Sequence, residues 1–124
     1  MREKVLFVVN QDSFFVSHRL PVALAASKRG FQVHIATKFT NHFGKLKQLG
    51  FELHPLNLDR KSTNVFANIG TLVQIIHLFR FLKPDVVHLV TIKPVILGGI
   101  AARLTGVPSL VAAISGLGYV FTSQ

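Results

Sequence analysis

The sequence predicts an α/β domain built on an open parallel sheet, with helices on both faces. Three observations carry this. First, short apolar runs alternate with helical patterns along all 124 residues, and strands alternating with helices imply parallel βαβ units. Second, several runs (VLFVV, DVVHLV, SLVAAI) are almost continuously apolar, as strands covered on both faces are. Third, Gly30, Gly50 and Gly106 each follow a helical stretch and precede an apolar run. That is the place of the left-handed residue that ends many helices.

The elements follow in order. Residues 4–9, KVLFVV, form the first strand. Residues 18–29 form a helix with Pro21 in its first turn and Lys28 and Arg29 at its end, where cations suit the helix dipole. FQVHIAT, 31–37, is the second strand, and 41–49 a short helix ending near Lys45 and Lys47. FELHPL, 51–56, is the third strand. Residues 64–82 form a long helix whose Val65, Ile69, Leu72, Val73, Ile76 and Phe79 make an apolar stripe, widened by Phe66, Phe81 and Leu82. This stripe is expected to face the sheet. DVVHLV, 85–90, is the fourth strand, 95–105 a helix that Pro94 can open and Arg103 closes, and SLVAAI, 109–114, the fifth strand. Right-handed crossovers put the second and third strands on one side of the first and the fourth and fifth on the other. The expected order is 3-2-1-4-5.

Composition bounds the function. The length fits one domain with one good core, and hydrophobic residues make up 49% of the chain, against disorder. There are no cysteines, which excludes disulfides and cysteine metal sites and suits a reducing cytoplasm. A net charge of +9 with five acidic residues favours anionic partners such as phosphates, nucleic acid or an acidic membrane face. MREKVLFVVNQD does not read as a signal peptide. Residues 62–79 and 104–124 lack Asp, Glu, Lys and Arg, yet polar residues interrupt the first and Pro108 and three glycines the second. Neither makes a transmembrane span.

In such a sheet, ligands bind beyond the carboxyl ends of the strands, where strand order reverses. The crevice therefore lies between the first and fourth strands. The first loop supplies Asn10, Gln11, Asp12, Ser13, Ser17, His18 and Arg19; the fourth supplies Thr91, Lys93 and Pro94; the fifth supplies Ser115, Gly116, Leu117, Gly118 and Tyr119. Asp59, Arg60, Lys61 and Ser62 lie further out. Neither GxGxxG nor GxxxxGK[ST] occurs, so side chains replace a glycine cradle here. Arg19 offers a planar fork for phosphate or carboxylate, His18 an acid–base group, and Phe14 and Phe15 an apolar lip. Ser17 or a neighbour as helix cap, alone or together with ligand contact, reads SHR equally well. Lys93 at a helix start opposes the dipole, which an anionic ligand explains. The GLG at 116–118 permits close backbone approach or is a plain turn. His88, His34 and His54 sit within strands and His42 and His77 on helices; His88 reads as a core residue. No pair has metal-ligand spacing with a carboxylate, and no Ser-His-Asp set or paired carboxylates occur. No cofactor is implied.

FFVSHRLPVALAASKRGFQVHIAT and KPDVVHLVTIKPVILGGIAARLTGVPSLVAAISGLGYVF together resemble the N-terminal domain of glycosyltransferase family 4 enzymes, nearest to those of bacterial capsule and O-antigen synthesis. The SHR-P opening, HLVTIKP, and GVP followed by GLG are its most specific pieces. The resemblance implies half of a GT-B fold, in which two Rossmann-like domains face a cleft. The N-terminal half receives the acceptor, often a polyprenyl-diphosphate-linked sugar. The C-terminal half binds the nucleotide-sugar donor and carries an acidic E-x7-E motif that is absent here. It implies that residues 1–124 are one incomplete N-terminal domain, inactive alone, in the cytoplasm at the inner face of the membrane. By matching position, Ser17, His18 and Arg19 line the acceptor side, Thr91 and Lys93 contact acceptor sugar or diphosphate, and Gly116, Leu117 and Gly118 approach the donor sugar. Many members place a His where this chain has Ser115, so that His role does not carry over, and the catalytic residues stay unassigned.

Two rivals stand beside this reading. One is a non-catalytic, Rossmann-like subunit that brings a separate catalytic chain to a membrane acceptor. The other is a nucleic-acid binder, suggested by charge alone; it needs stacking aromatics on a basic face, whereas the Phe residues here are patterned as core. No nucleic-acid partner is expected.

Overall fold

The computed structural model describes residues 3–56, 65–90, 92–113 and 120–123. The chain begins with β1 (Lys4–Gln11), α1 (Asp12–His18), α2 (Leu20–Lys28) and β2 (Gln32–Lys38). It continues through α3 (Phe43–Gln48), β3 (Glu52–Pro55), α4 (Val65–Leu82) and β4 (Val86–Val90). It closes with α5 (Ile92–Thr105), β5 (Ser109–Ala113) and β6 (Val120–Ser123). The sheet order is β3-β2-β1-β4-β5-β6. The first five strands are parallel and in the expected order.

Alternation along β1 divides the core in two. Leu6 and Val8 face α4 and α5, packing with Ile75, Phe79, Leu82, Ala101 and Ala102. Val5, Phe7 and Val9 face the other way, with Phe15 of α1, Ala23 of α2 and Leu46 of α3. Phe15 meets Phe7 edge-on at 5.5 Å and Phe51 at 6.4 Å, which fastens α1 over the middle of β1. Gly30, Gly50 and Gly106 adopt φ of 96°, 92° and 73°, the left-handed conformation expected of them.

Four expectations need correction. Residues 12–18 are helical rather than a loop, and the helix expected over 18–29 begins at Leu20. Asp12 supplies the acid that favours a helix start, and Pro21 causes the break: its ring clashes with a carbonyl four residues back and it lacks an N–H, so the helix stops at Arg19. Second, a sixth strand, antiparallel, is added beside β5. Third, α4 is rotated from the expected stripe. Ile69 and Val73 are 51% and 45% exposed, while Thr71, Ile75, Phe79 and Leu82 are buried. A helix apolar on every side leaves its rotation to packing, not to pattern. Fourth, α5 starts at Ile92, three residues before the expected 95.

Gly98 brings α5 against the sheet. A Cβ there would run into the Leu89 side chain of β4, whereas one on Gly99 meets nothing within 4 Å. Gly98→Ala should therefore cost about 1–3 kcal/mol by overpacking, and Gly99→Ala should be stabilising by up to about 1 kcal/mol through helix propensity. Paired denaturant melts of the two variants check this.

Candidate functional site

Strand order reverses at β1, which pairs with β2 on one side and β4 on the other. Arg19 occupies the break between α1 and α2, with φ −123° and ψ −9°. From there its guanidinium lies close enough to His88 of β4 to disfavour a charge on that ring. His88 stands opposite Phe7 in register and stacks on it at 4.9 Å. Burial first, and the Arg19 charge second, lower the His88 pKa from 6.5 to about 4, so the ring is neutral at neutral pH. His88 Nε2, Arg19 Nε and Asn10 Oδ1 are each buried without a hydrogen-bonding partner. Such atoms are costly, and all three belong to the elements that border the reversal. A guanidinium fork and a neutral imidazole side by side can bind and orient an oxyanion together with a hydroxyl. His88 packs on the core residue Phe7, as expected of it, and also keeps an unpartnered Nε2 in this corner. The sequence signal was its position, one strand residue in two, on the face that Arg19 crosses.

The backbone of Lys93 lies in the first turn of α5, which begins two residues past the end of β4. Lys93 and Arg19 therefore sit on elements flanking the same pair of strands, β1 and β4. Helix first turns carry unpaired N–H groups and a positive dipole end, so the start of α5 adds positive potential beside these strands.

The other first-loop residues divide. Ser17 is exposed and donates its hydroxyl to the Ser13 carbonyl at 2.7 Å, inside α1. It caps nothing, and Arg19, the N-cap of α2, makes no side-chain cap bond. His18 is exposed at the end of α1 and stacks on Phe14 at 4.1 Å. Phe15 is no lip; it is fully buried. Asp12, read as a crevice residue, is a buried clamp. Its carboxylate accepts from Thr40 N at 2.9 Å, Thr40 Oγ1 at 2.7 Å and His42 N at 2.9 Å, with His42 Nδ1 3.7 Å away. Burial pushes its pKa up, but the bonds from Thr40 and His42 outweigh this and hold it below 3.8. The clamp ties the end of β1 to the loop before α3. An acid at a strand-to-helix junction was its only sequence trace. Thr91, Ser115, Gly116, Leu117, Gly118 and Tyr119, with Asp59, Arg60, Lys61 and Ser62, lie outside the described residues. Among the described residues, no group of three or more His, Asp or Glu could hold a metal ion.

The model of the family described as "Glycosyl transferase 4-like" matches residues 4–124. This chain belongs to that family. No curated protein matches the sequence. Among solved structures, this glycosyl transferase 4-like chain is similar to MurG of Acinetobacter baumannii, with TM-score 0.71 and 23% identity over 89% of this chain and 33% of that one. It is similar to a glycosyltransferase of Rickettsia africae, with TM-score 0.71 and 18% identity over 90% of this chain and 28% of that one. A UDP-GlcNAc 2-epimerase from Neisseria meningitidis, bound to UDP-GlcNAc, also matches, with TM-score 0.66 and 16% identity over 88% of this chain and 31% of that one. These likenesses show the fold. The glycosyl transferase 4-like chain spans about a third of the length of each of these structures.

The site groups set the acid response. The pKa values of His34, His54 and His88 are all lowered in the fold, chiefly by burial. The unfolded chain takes up these protons first, so stability is complete above pH 6.5 and is lost as pH falls toward about 4. Asp12, with its pKa lowered, adds a second loss below pH 3.8. Thermal melts should show Tm falling between pH 6.5 and 4, and falling less in His88→Phe, which keeps a ring on Phe7. Asp12→Asn should destabilise by about 2–4 kcal/mol at pH 7, because it unpairs the Thr40 and His42 donors.

Proposed function

We propose that this chain is the N-terminal, acceptor-side domain of a nucleotide-sugar-dependent glycosyltransferase. On this reading it works in cell-surface polysaccharide synthesis of the capsule or O-antigen type, on a polyprenyl-diphosphate-linked sugar. The donor belongs to a second domain, without which this one transfers nothing. The observation that carries the reading is the pairing of Arg19 with His88 beside the β1–β4 boundary, where Arg19 Nε and His88 Nε2 are both buried without partners. A diphosphate oxygen on Arg19 and a sugar hydroxyl on His88 would satisfy both. Lys93, with Thr91, would add charge to the diphosphate; Ser17 and His18 would line the outer wall; Ser115, Gly116, Leu117 and Gly118 would approach the donor sugar. The epimerase of the same fold, which holds UDP-GlcNAc, supports a nucleotide-sugar partner.

Exposed apolar surface supports the membrane part of the reading. Ile96, Ile100 and Leu104 recur every fourth residue of α5 at 56%, 44% and 67% exposure. Ile69 and Val73 are exposed on α4, the helix packed beside α5. With a net charge of +9, such a face suits the anionic cytoplasmic leaflet. Among the described residues, no helix is long and apolar enough to cross a membrane, so the contact would be peripheral.

Binding to vesicles that carry an undecaprenyl-diphosphate sugar tests the acceptor role. Removing one charge-assisted contact costs about 1.5–3 kcal/mol, roughly 10–100-fold in affinity. Arg19→Ala should show a loss in this range, and Lys93→Ala a smaller one. Unchanged affinity in both variants sinks the acceptor role. On anionic vesicles lacking acceptor, Ile100→Asp with Leu104→Asp should abolish co-sedimentation while wild type sediments.

A further inference from the structure

A second concave surface, whose lining does not include Arg19, lies between the carboxyl ends of β2 and β3 and the helix α4. It has a volume of about 810 Å³ and is lined by Lys38, Phe39, His54, Pro55 and Leu56, with Gln74, His77, Leu78 and Phe81 from α4. That volume falls in the range of ~300–1,000 Å³ typical of small-ligand sites. The walls are mainly apolar, and one of them, Phe81, is 81% exposed. Among the described residues, no carboxylate belongs to the lining; Glu52 of β3 is exposed outside it.

The polar side of this groove is built rather than incidental. His54 is held from below by His34, with His34 Nδ1 2.9 Å from His54 Nε2 and the rings stacked at 5.1 Å. His34 is 5% exposed, and its Nε2 is buried without a partner. Orphaned N–H groups are rarer in proteins than orphaned acceptors. The proton of His34 is therefore assigned to Nδ1, which donates to His54 Nε2. His54 must then carry its own proton on Nδ1, the nitrogen not engaged by His34. The dyad thus fixes the tautomer of a groove-lining imidazole, as a second residue does for a metal or substrate ligand. Burial lowers the pKa of both rings against the opposing pull of the nearby Glu52 carboxylate, so at neutral pH the groove lining offers the Lys38 ammonium and an N–H donor.

We propose that the groove between the β2–β3 edge and α4 binds a phosphate monoester carried on an apolar chain. Lys38 and the His54 Nδ1–H would hold the phosphate, with His77 at its side. Phe39, Leu78 and Phe81 would cover the chain, and Phe81 would lose its exposure. Its lining shares no residue with the β1–β4 crevice, and the proposal does not depend on the acceptor reading.

Calorimetric titration of the 124-residue chain with decyl phosphate below its micelle concentration tests this. Inorganic phosphate and decyl maltoside supply head and tail alone. Decyl phosphate should bind at least tenfold more tightly than either and should shift the ring resonances of His54 and His77. Lys38→Ala and Phe81→Ala, both at exposed positions, should each weaken it at least fivefold, while Arg19→Ala leaves it unchanged. The proposal is overturned if decyl phosphate binds no better than one of its halves. It is also overturned if binding survives both groove variants, or if Arg19→Ala removes it, which would assign the ligand to the β1–β4 crevice instead.

Discussion

The reversal of strand order at β1 is the constraint on which the molecule depends. β1 pairs with β2 on one edge and β4 on the other, so it is the one strand whose neighbours arrive by opposite routes. Right-handed crossovers then send α1, α2 and α3 to one face and α4 and α5 to the other. Leu6, Phe7, Val8 and Val9 of β1 are all 1% exposed or less, and burying each such side chain contributes about 1.5–3 kcal/mol. Both cores are therefore anchored in one strand.

Two local devices turn this topology into a site. Asp12 binds the end of β1 to the loop before α3 through Thr40 and His42, which fixes where α1 begins. Pro21 ends α1 at Arg19 rather than letting one helix run on to Lys28. The break turns Arg19 inward over β4, where its charge and burial keep His88 neutral. Asn10 Oδ1, Arg19 Nε and His88 Nε2 remain without partners in that corner. A bound oxyanion would answer the same need from outside.

Much of this was legible in the sequence because it rests on short-range chemistry. The strands announce themselves by apolar runs, the helix ends by Gly30, Gly50 and Gly106, and the order of the parallel strands by the handedness of crossovers. What was hidden depends on partners distant in the chain. The rotation of α4 was hidden because Ile69, Val73, Ile75 and Phe79 offer two equally apolar faces. Asp12 gave no sign of reaching residues 28 and 30 positions away. His34 and His54 looked like ordinary alternating strand residues until the β2–β3 register set them on one face. The α1 helix was hidden because Pro21 suits the opening of one helix as well as the break between two. The switch point was legible as a place rather than as a list: Arg19 stands beside it, Phe15 is core, and His88, which reads as core, stacks on Phe7 there.

The central claim is that an acceptor diphosphate seats where strand order reverses, between the α1–α2 break and the start of α5. Photo-crosslinking with a diazirine placed beside the diphosphate of an isoprenoid-linked sugar, followed by peptide mapping, tests it most directly. The account predicts adducts on peptides containing Ser17 to Leu20 and His88 to Pro94. Adducts confined to the opposite end of the sheet, at Lys83 to Asp85 or Thr105 to Pro108, would contradict it.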